Sequence, residues 1–182
     1  MIAIVAFVGQ ACKKKEEAAP ALKVLQLGEK RLDNDKLVDL TDGTGYTVVD
    51  ALANAGKVDI NYSKSITIND GTKDTTVTSA IISADAIRID GGSPFSNTTT
   101  FAPLSRGTLP TAVTDHAELK TLYDQAAADF GSEAPLLFGI PANVVIMFKI
   151  RGNTDTPKYG GIQFNSFNAD STSANVTITV QE

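Results

Sequence analysis

Tryptophan is absent from these 182 residues, and cysteine and histidine occur once each, at Cys12 and His116. One cysteine excludes an internal disulfide framework and a thiolate zinc site, and one histidine excludes clustered imidazole ligands. Positive charge is scarce: 16 Lys and Arg stand against 21 Asp and Glu, for a net charge of −5. No surplus is left to neutralise a phosphate backbone, so nucleic acid is excluded as the expected partner. A long hydrophobic run is missing too. The apolar stretch Ile2 to Val8 is far short of the roughly 20 residues that a membrane-spanning helix needs. What remains, 42% hydrophobic and 20% charged residues, is a globular composition in a chain long enough for one domain.

The amino terminus reads as an address. The run IAIVAFV ends in Gly9-Gln10-Ala11-Cys12 and then turns abruptly to Lys13-Lys14-Lys15-Glu16-Glu17. A short apolar core closed by small residues has the form of a secretory signal and its cleavage site. The segment GQAC resembles the lipobox of bacterial lipoproteins, in which the cysteine after the cut receives the lipid. That resemblance implies a signal peptide over 1–11, lipid attachment at Cys12, and membrane lipid as a partner. Lys15, Glu16 and Glu17 are similar to the lysine-plus-acidic surface-export signal of Bacteroidota lipoproteins. Residues 12–21 then have the composition of a flexible tether broken by Pro20, and a single domain is expected over 22–182. The competing reading makes IAIVAFV a buried first strand and Cys12 a core thiol.

Along that domain, Leu22 to Leu27 and Leu37 to Leu40 suit short strands separated by a polar turn. Val48, Ala51, Leu52 and Ala55 recur at helical spacing, with Thr47 as N-cap and Gly56 as the stop, and predict a two-turn helix. Val58, Ile60 and Tyr62 alternate with Lys57, Asp59 and Asn61, which predicts a strand with the second set in water. A hairpin turn is expected at Asn69-Asp70-Gly71, and long loops with short strands between Ser79 and Gly107. Leu119, Leu122, Tyr123, Ala126 and Phe130 line one side of a helix from about Asp115 to Asp129, with Asp115 and Glu118 placed as a capping box. Asn143 to Ile150, Tyr159 to Phe167 and Ala174 to Val180 predict a three-stranded antiparallel meander. The first of these reads as an interior strand buried on both faces, and VTITV as a strand with one wet face. The expected fold is mainly β: an antiparallel β-sandwich with one or two short helices.

Several pieces together resemble small Bacteroidota envelope lipoproteins of uncharacterised function. They are the cysteine before a charged tether, Leu27-Gly28, Gly45-Tyr46-Thr47 leading through Asp50-Ala51 to Asn54, Lys57-Val58-Asp59-Ile60, and the closing pattern FK(I)…KYG(G)I…VTITVQ. The resemblance implies a β-sandwich at the outer membrane or cell surface. It implies no activity and no cofactor.

Few of the residues offer chemistry. His116 is the only imidazole available as a base and falls in the first turn of a predicted helix, with no nucleophile motif elsewhere. Asp33, Asp35 and Asp39, with Asn34, form the densest acidic group but lack the glycine turn and closing glutamate of a calcium loop, so an exposed turn is expected and no metal. Gly160-Gly161 is not followed by a helix and makes no dinucleotide cradle. Asp74-Thr75-Thr76 and Asp170-Ser171-Thr172 resemble the O-glycosylation acceptor of exported Bacteroidota proteins, which implies glycans at Thr75 and Ser171 in loops. The expected protein is a non-catalytic envelope lipoprotein with a binding or accessory role. The alternatives are a pilus-like fibre subunit that self-assembles through an amino-terminal donor strand, and a secreted hydrolase using two carboxylates across a pocket.

Overall fold

The computed structural model describes residues 23–34, 36–69, 74–89, 91–104, 109, 113, 115–152 and 156–182, with 65–69 and 74–78 described by backbone alone. Residues 1–22, which hold the expected signal segment, Cys12, Lys15, Glu16, Glu17 and the expected tether, lie outside the described residues. The chain runs through β1 (Val24–Asp33), β2 (Lys36–Val38), β3 (Gly45–Tyr46), helix α1 (Val48–Ala53), β4 (Ile60–Asn69), β5 (Asp74–Ser83) and a 3-10 turn at Ala84–Ala86. It continues through β6 (Thr98–Leu104), helix α2 (His116–Phe130), β7 (Leu136–Phe138), β8 (Val144–Arg151), β9 (Lys158–Phe167) and β10 (Ser173–Gln181). Two five-stranded antiparallel sheets result, ordered β1-β10-β9-β8-β6 and β3-β2-β4-β5-β7. The protein is a β-sandwich.

The meander β8-β9-β10 forms the centre of the first sheet. In β8, Ile146, Phe148 and Ile150 enter the core between the sheets, while Val145 and Met147 face α2. Period two explains this, because a strand covered on both sides is apolar at every position. Gly160 is required for the close packing. A Cβ there would stand 2.2 Å from Phe148 Cζ and 2.5 Å from the Thr179 carbonyl oxygen.

Several expectations need correction. The first strand continues to Asp33 instead of turning after Leu27. Its register shifts between Gln26 and Glu29, where Gly28 takes φ +69°, so a bulge absorbs the polar stretch that reads as a turn. The expected wet face of β10 is partly covered. Thr179 and Gln181 are buried, and Gln181 bridges the Tyr159 N–H and the His116 carbonyl at 2.9 and 2.8 Å. In α2, Leu119, Tyr123 and Ala126 are buried, but Phe130 is 48% exposed, because it is the helix's last residue. In α1 only Ala51 is buried, whereas Val48 and Leu52 project outward. Six residues give too short a helix to lay a whole apolar stripe on the sheet. The interval after Ser79 holds more strand than expected, with β5 reaching Ser83 and β6 covering Thr98–Leu104.

Register fixes the two ends of the molecule. Val24 faces Gln181, Val180 faces Gly160, and Ile150 faces Lys158. The start of β1, the end of β10, the start of β9 and the end of β8 therefore share one end. The described chain enters there: the Lys23 carbonyl accepts from the Glu182 N–H at 3.0 Å and lies 2.7 Å from His116 Nε2.

Candidate functional site

At this entry end lies a cleft of about 320 Å³ to which both sheets contribute: Asp39, Thr41, Lys57 and Asp59 from one, Gly152 and Lys158 from the other. It is built on a repeated tripeptide, Val38-Asp39-Leu40 and Val58-Asp59-Ile60. Val38 pairs with Ile60 across β2 and β4, and the Asp59 N–H donates to the Val38 carbonyl at 2.9 Å. The two aspartates are thereby brought to one place from segments twenty positions apart.

Asp59 is 1% exposed. Its Oδ2 accepts from the Leu40 N–H at 2.8 Å and its Oδ1 from Asn97 Nδ2 at 2.9 Å. Its carbonyl accepts from the Ala84 N–H and the Thr99 hydroxyl, both at 2.9 Å. One residue thus ties the end of β2, the 3-10 turn and the start of β6. Burial pushes the Asp59 carboxyl up to about 7 and the nearby Asp39 charge adds to this, while the hydrogen bonds from Leu40 and Asn97 and the Lys158 ammonium oppose it. Asp39 is buried as well. Its Oδ1 accepts from the Thr41 N–H at 2.8 Å and the Thr41 hydroxyl at 2.5 Å, which closes a tight turn.

These positions overturn two expectations. Asp59 alternates with apolar neighbours and reads as a wet position, but it precedes β4, so the alternation of that strand does not govern it. Asp39 does not belong to an exposed acidic turn with Asp33. Asp33 pairs with Arg31 at 2.7 Å on β1, and Asp35 lies outside the described residues. The signal that would have found the cleft is the repeated V-D-[L/I], an acid between two apolar residues on neighbouring segments.

The other candidate residues are scattered. His116 opens α2, where Asp115 Oδ1 caps the helix by accepting from the Ala117 N–H at 3.0 Å. Thr75 falls within β5, opposite Ile68, and not in a loop. Ser171 does occupy the turn between β9 and β10, and its carbonyl accepts from the Tyr62 hydroxyl at 3.1 Å. Among the described residues no group of three or more His, Cys, Asp or Glu is arranged to hold a metal ion. No helix among them is long and apolar enough to cross a membrane.

A second polar cluster lies beneath α2. The Lys149 ammonium meets both Glu133 carboxylate oxygens at 2.5 Å and stands 4.9 Å from the centre of the Tyr123 ring. The Tyr123 hydroxyl is 2.7 Å from that of Thr100. Burial raises the Glu133 carboxyl, but the Lys149 charge and the Tyr123 and Thr100 hydroxyls outweigh it and hold the group below the usual carboxylate range. The cluster closes on itself and ties α2 to the sheet. No family model, curated protein or solved structure matches the chain.

Proposed function

We propose that this chain is a non-catalytic lipoprotein of the cell envelope, anchored through Cys12 at the outer membrane or cell surface, with a binding or accessory role. The observation that carries the non-catalytic part is the state of the cleft. Both oxygens of Asp59 accept hydrogen bonds from protein groups, and Asp39 is engaged by Thr41. These bonds give both carboxyls a structural task, tying β2 to the start of β6 and closing the turn from Asp39 to Thr41, and that supports a non-catalytic cleft. The exposed Lys57 and Lys158 at the rim offset the two acids and suit the cleft to holding a polar ligand. The anchor reading rests on the sequence GQAC and the charged segment after it, and on the resemblance to Bacteroidota lipoproteins.

The test is the mature protein from native cells. Its mass should begin at Cys12 and include acyl chains, and Cys12→Ala should release the protein to the soluble fraction, since several chains give stable anchoring and one gives little. An intact Met1 overturns this reading, and retention of Ile2 to Val8 as a paired strand favours the fibre alternative.

One observation favours a second reading, a hydrolase. Two carboxylates share a cleft, and one is raised by burial and by the other's charge, a combination that separates acid from base in glycosidases. Turnover of a glycoside that disappears in both Asp39→Asn and Asp59→Asn would replace the binding reading with an enzymatic one.

A further inference from the structure

The exposed large hydrophobic side chains include two groups on different parts of the molecule. Phe130 and Phe138 border an apolar groove with Pro103 and Val144, at the start of β8. That is roughly 20 Å along the strand from the entry end, at about 3.3 Å per residue. Val48, Val49 and Leu52 are on α1, exposed by 46%, 77% and 45%. At 100° per residue these three span one arc of the helix, next to the buried Ala51 and away from Asp50. The apolar side of α1 is therefore wider than the patch it packs on, and half of it is left without a partner among the described residues.

The place of α1 in the fold gives this arc its meaning. The helix runs between Tyr46 and the Gly56-Lys57 turn, and that turn lines the cleft with Gly152 and Lys158 of the other sheet. It therefore lies at the end where the chain enters at Lys23. Ten residues, Lys13 to Leu22, separate that point from Cys12 and reach at most about 35 Å.

We propose that Val48, Val49 and Leu52 form the surface with which the domain rests on the lipid bilayer that holds it. This rests on the anchor reading and deepens it, from a domain on a free tether to one with a fixed face toward the membrane. An apolar helical arc gains by entering the headgroup and acyl boundary, and a short tether keeps it close enough to do so repeatedly. The Phe130 and Phe138 group points elsewhere and stays in water.

The sequence supplies its own probe, because it has no tryptophan and one cysteine. The full chain carrying Val49→Trp is coupled through Cys12 to a maleimide lipid in phosphatidylcholine vesicles containing bromine-labelled acyl chains. Coupling supplies the anchor whatever the cell attaches, so failure here is distinct from failure of the anchor reading, which the native mass tests. Val49 is exposed enough for the substitution to leave the fold intact. The expected result is at least about twofold quenching with a blue shift, lost when Leu52→Asp is added, and no quenching for Phe138→Trp in the same arrangement. No quenching of Val49→Trp, or equal quenching at both positions, overturns the proposal. So does a blue shift of the uncoupled protein that grows with its own concentration, which would assign the arc to a second copy.

Discussion

The two sheets solve the same problem with different materials. The first closes its centre with three consecutive strands, and its inward positions on β8 and β10 are all apolar: Ile146, Phe148 and Ile150 on the one, Ala174, Val176, Ile178 and Val180 on the other. The second carries two short strands at one edge, β2 with three residues and β3 with two, and where its cleft end meets the start of β6 in the first sheet the polar Asp59, Asn97, Thr99 and Ser83 are buried. The Thr99 N–H donates to Ser83 Oγ at 2.7 Å, and Asp59 joins three segments. Within the meander, backbone ladders and apolar packing suffice. At the cleft end, where the edge strand β6 meets the ends of the second sheet, side chains supply the partners that the ladders do not.

Breaking the first sheet should have the largest effect. Phe148 is fully buried against Gly160, and truncating a buried Phe to Ala typically costs ~3–5 kcal/mol. Urea unfolding of Phe148→Ala should show a midpoint lowered accordingly with an unchanged slope. A loss below about 1 kcal/mol would show that this side of the core repacks.

Asp59 offers the next effect, and its sign differs from that of most structural carboxylates. Its carboxyl is raised in the folded state, to about 7 from an ordinary 3.8. Between those values the folded chain holds a proton that the unfolded chain has released, so stability falls as pH rises through this window and levels off above about 7. The raise corresponds to a few kcal/mol across the window. Asp59→Asn removes the titration, and its amide N–H2 faces either the Leu40 N–H or the Asn97 amide. The variant should be less stable than the parent at pH 4 by more than at pH 8. The measurement is denaturant stability of both proteins across that range, and parallel curves would refute the assignment.

How much of this was legible follows the same division. The meander and the two-faced burial of β8 could be read directly, because period two and short connections act within a few residues. The sandwich followed from them. Asp59 was not legible, since its burial depends on Leu40 and Asn97, which reach it only after both sheets have formed. The bulge at Gly28 was hidden for a related reason: pairing with β10 carries a polar stretch that has no strand pattern of its own. Helical spacing placed Leu119 and Tyr123 correctly and Phe130 wrongly, because periodicity gives a face and not the extent of the surface beneath it.

Glu133 sharpens the comparison from the other side. Its carboxyl lies below the ordinary range, so its contribution is present above the unfolded value and is lost as pH falls. The sign is opposite to that of Asp59. Because the Glu133 side chain is 39% exposed, solvent screens part of the pairing, and Glu133→Gln should lower stability at pH 7 by only about 1 kcal/mol. The loss should shrink toward pH 3. A difference that grows on acidification would contradict the pairing with Lys149.

The smallest expected effect tests where α2 stops packing. Leu119, Tyr123 and Ala126 occupy one helical face over Val145, Met147 and Tyr159, and the Tyr123 and Tyr159 rings meet edge to face at 5.4 Å. Phe130 continues the i, i+4 spacing from Ala126 but ends the helix before Gly131 and is left half in water. Its side chain has little apolar contact to lose, so Phe130→Gln should change stability by no more than about 0.5 kcal/mol, the usual range for surface substitutions. Tyr123→Phe, one hydroxyl at a buried site on the same face, should cost more, about 1 kcal/mol, because the Thr100 hydroxyl loses its 2.7 Å partner. If the order were reversed, with the surface phenylalanine the more sensitive, Phe130 would have to be covered in solution, and the helix face would extend one turn further than the sheet beneath it.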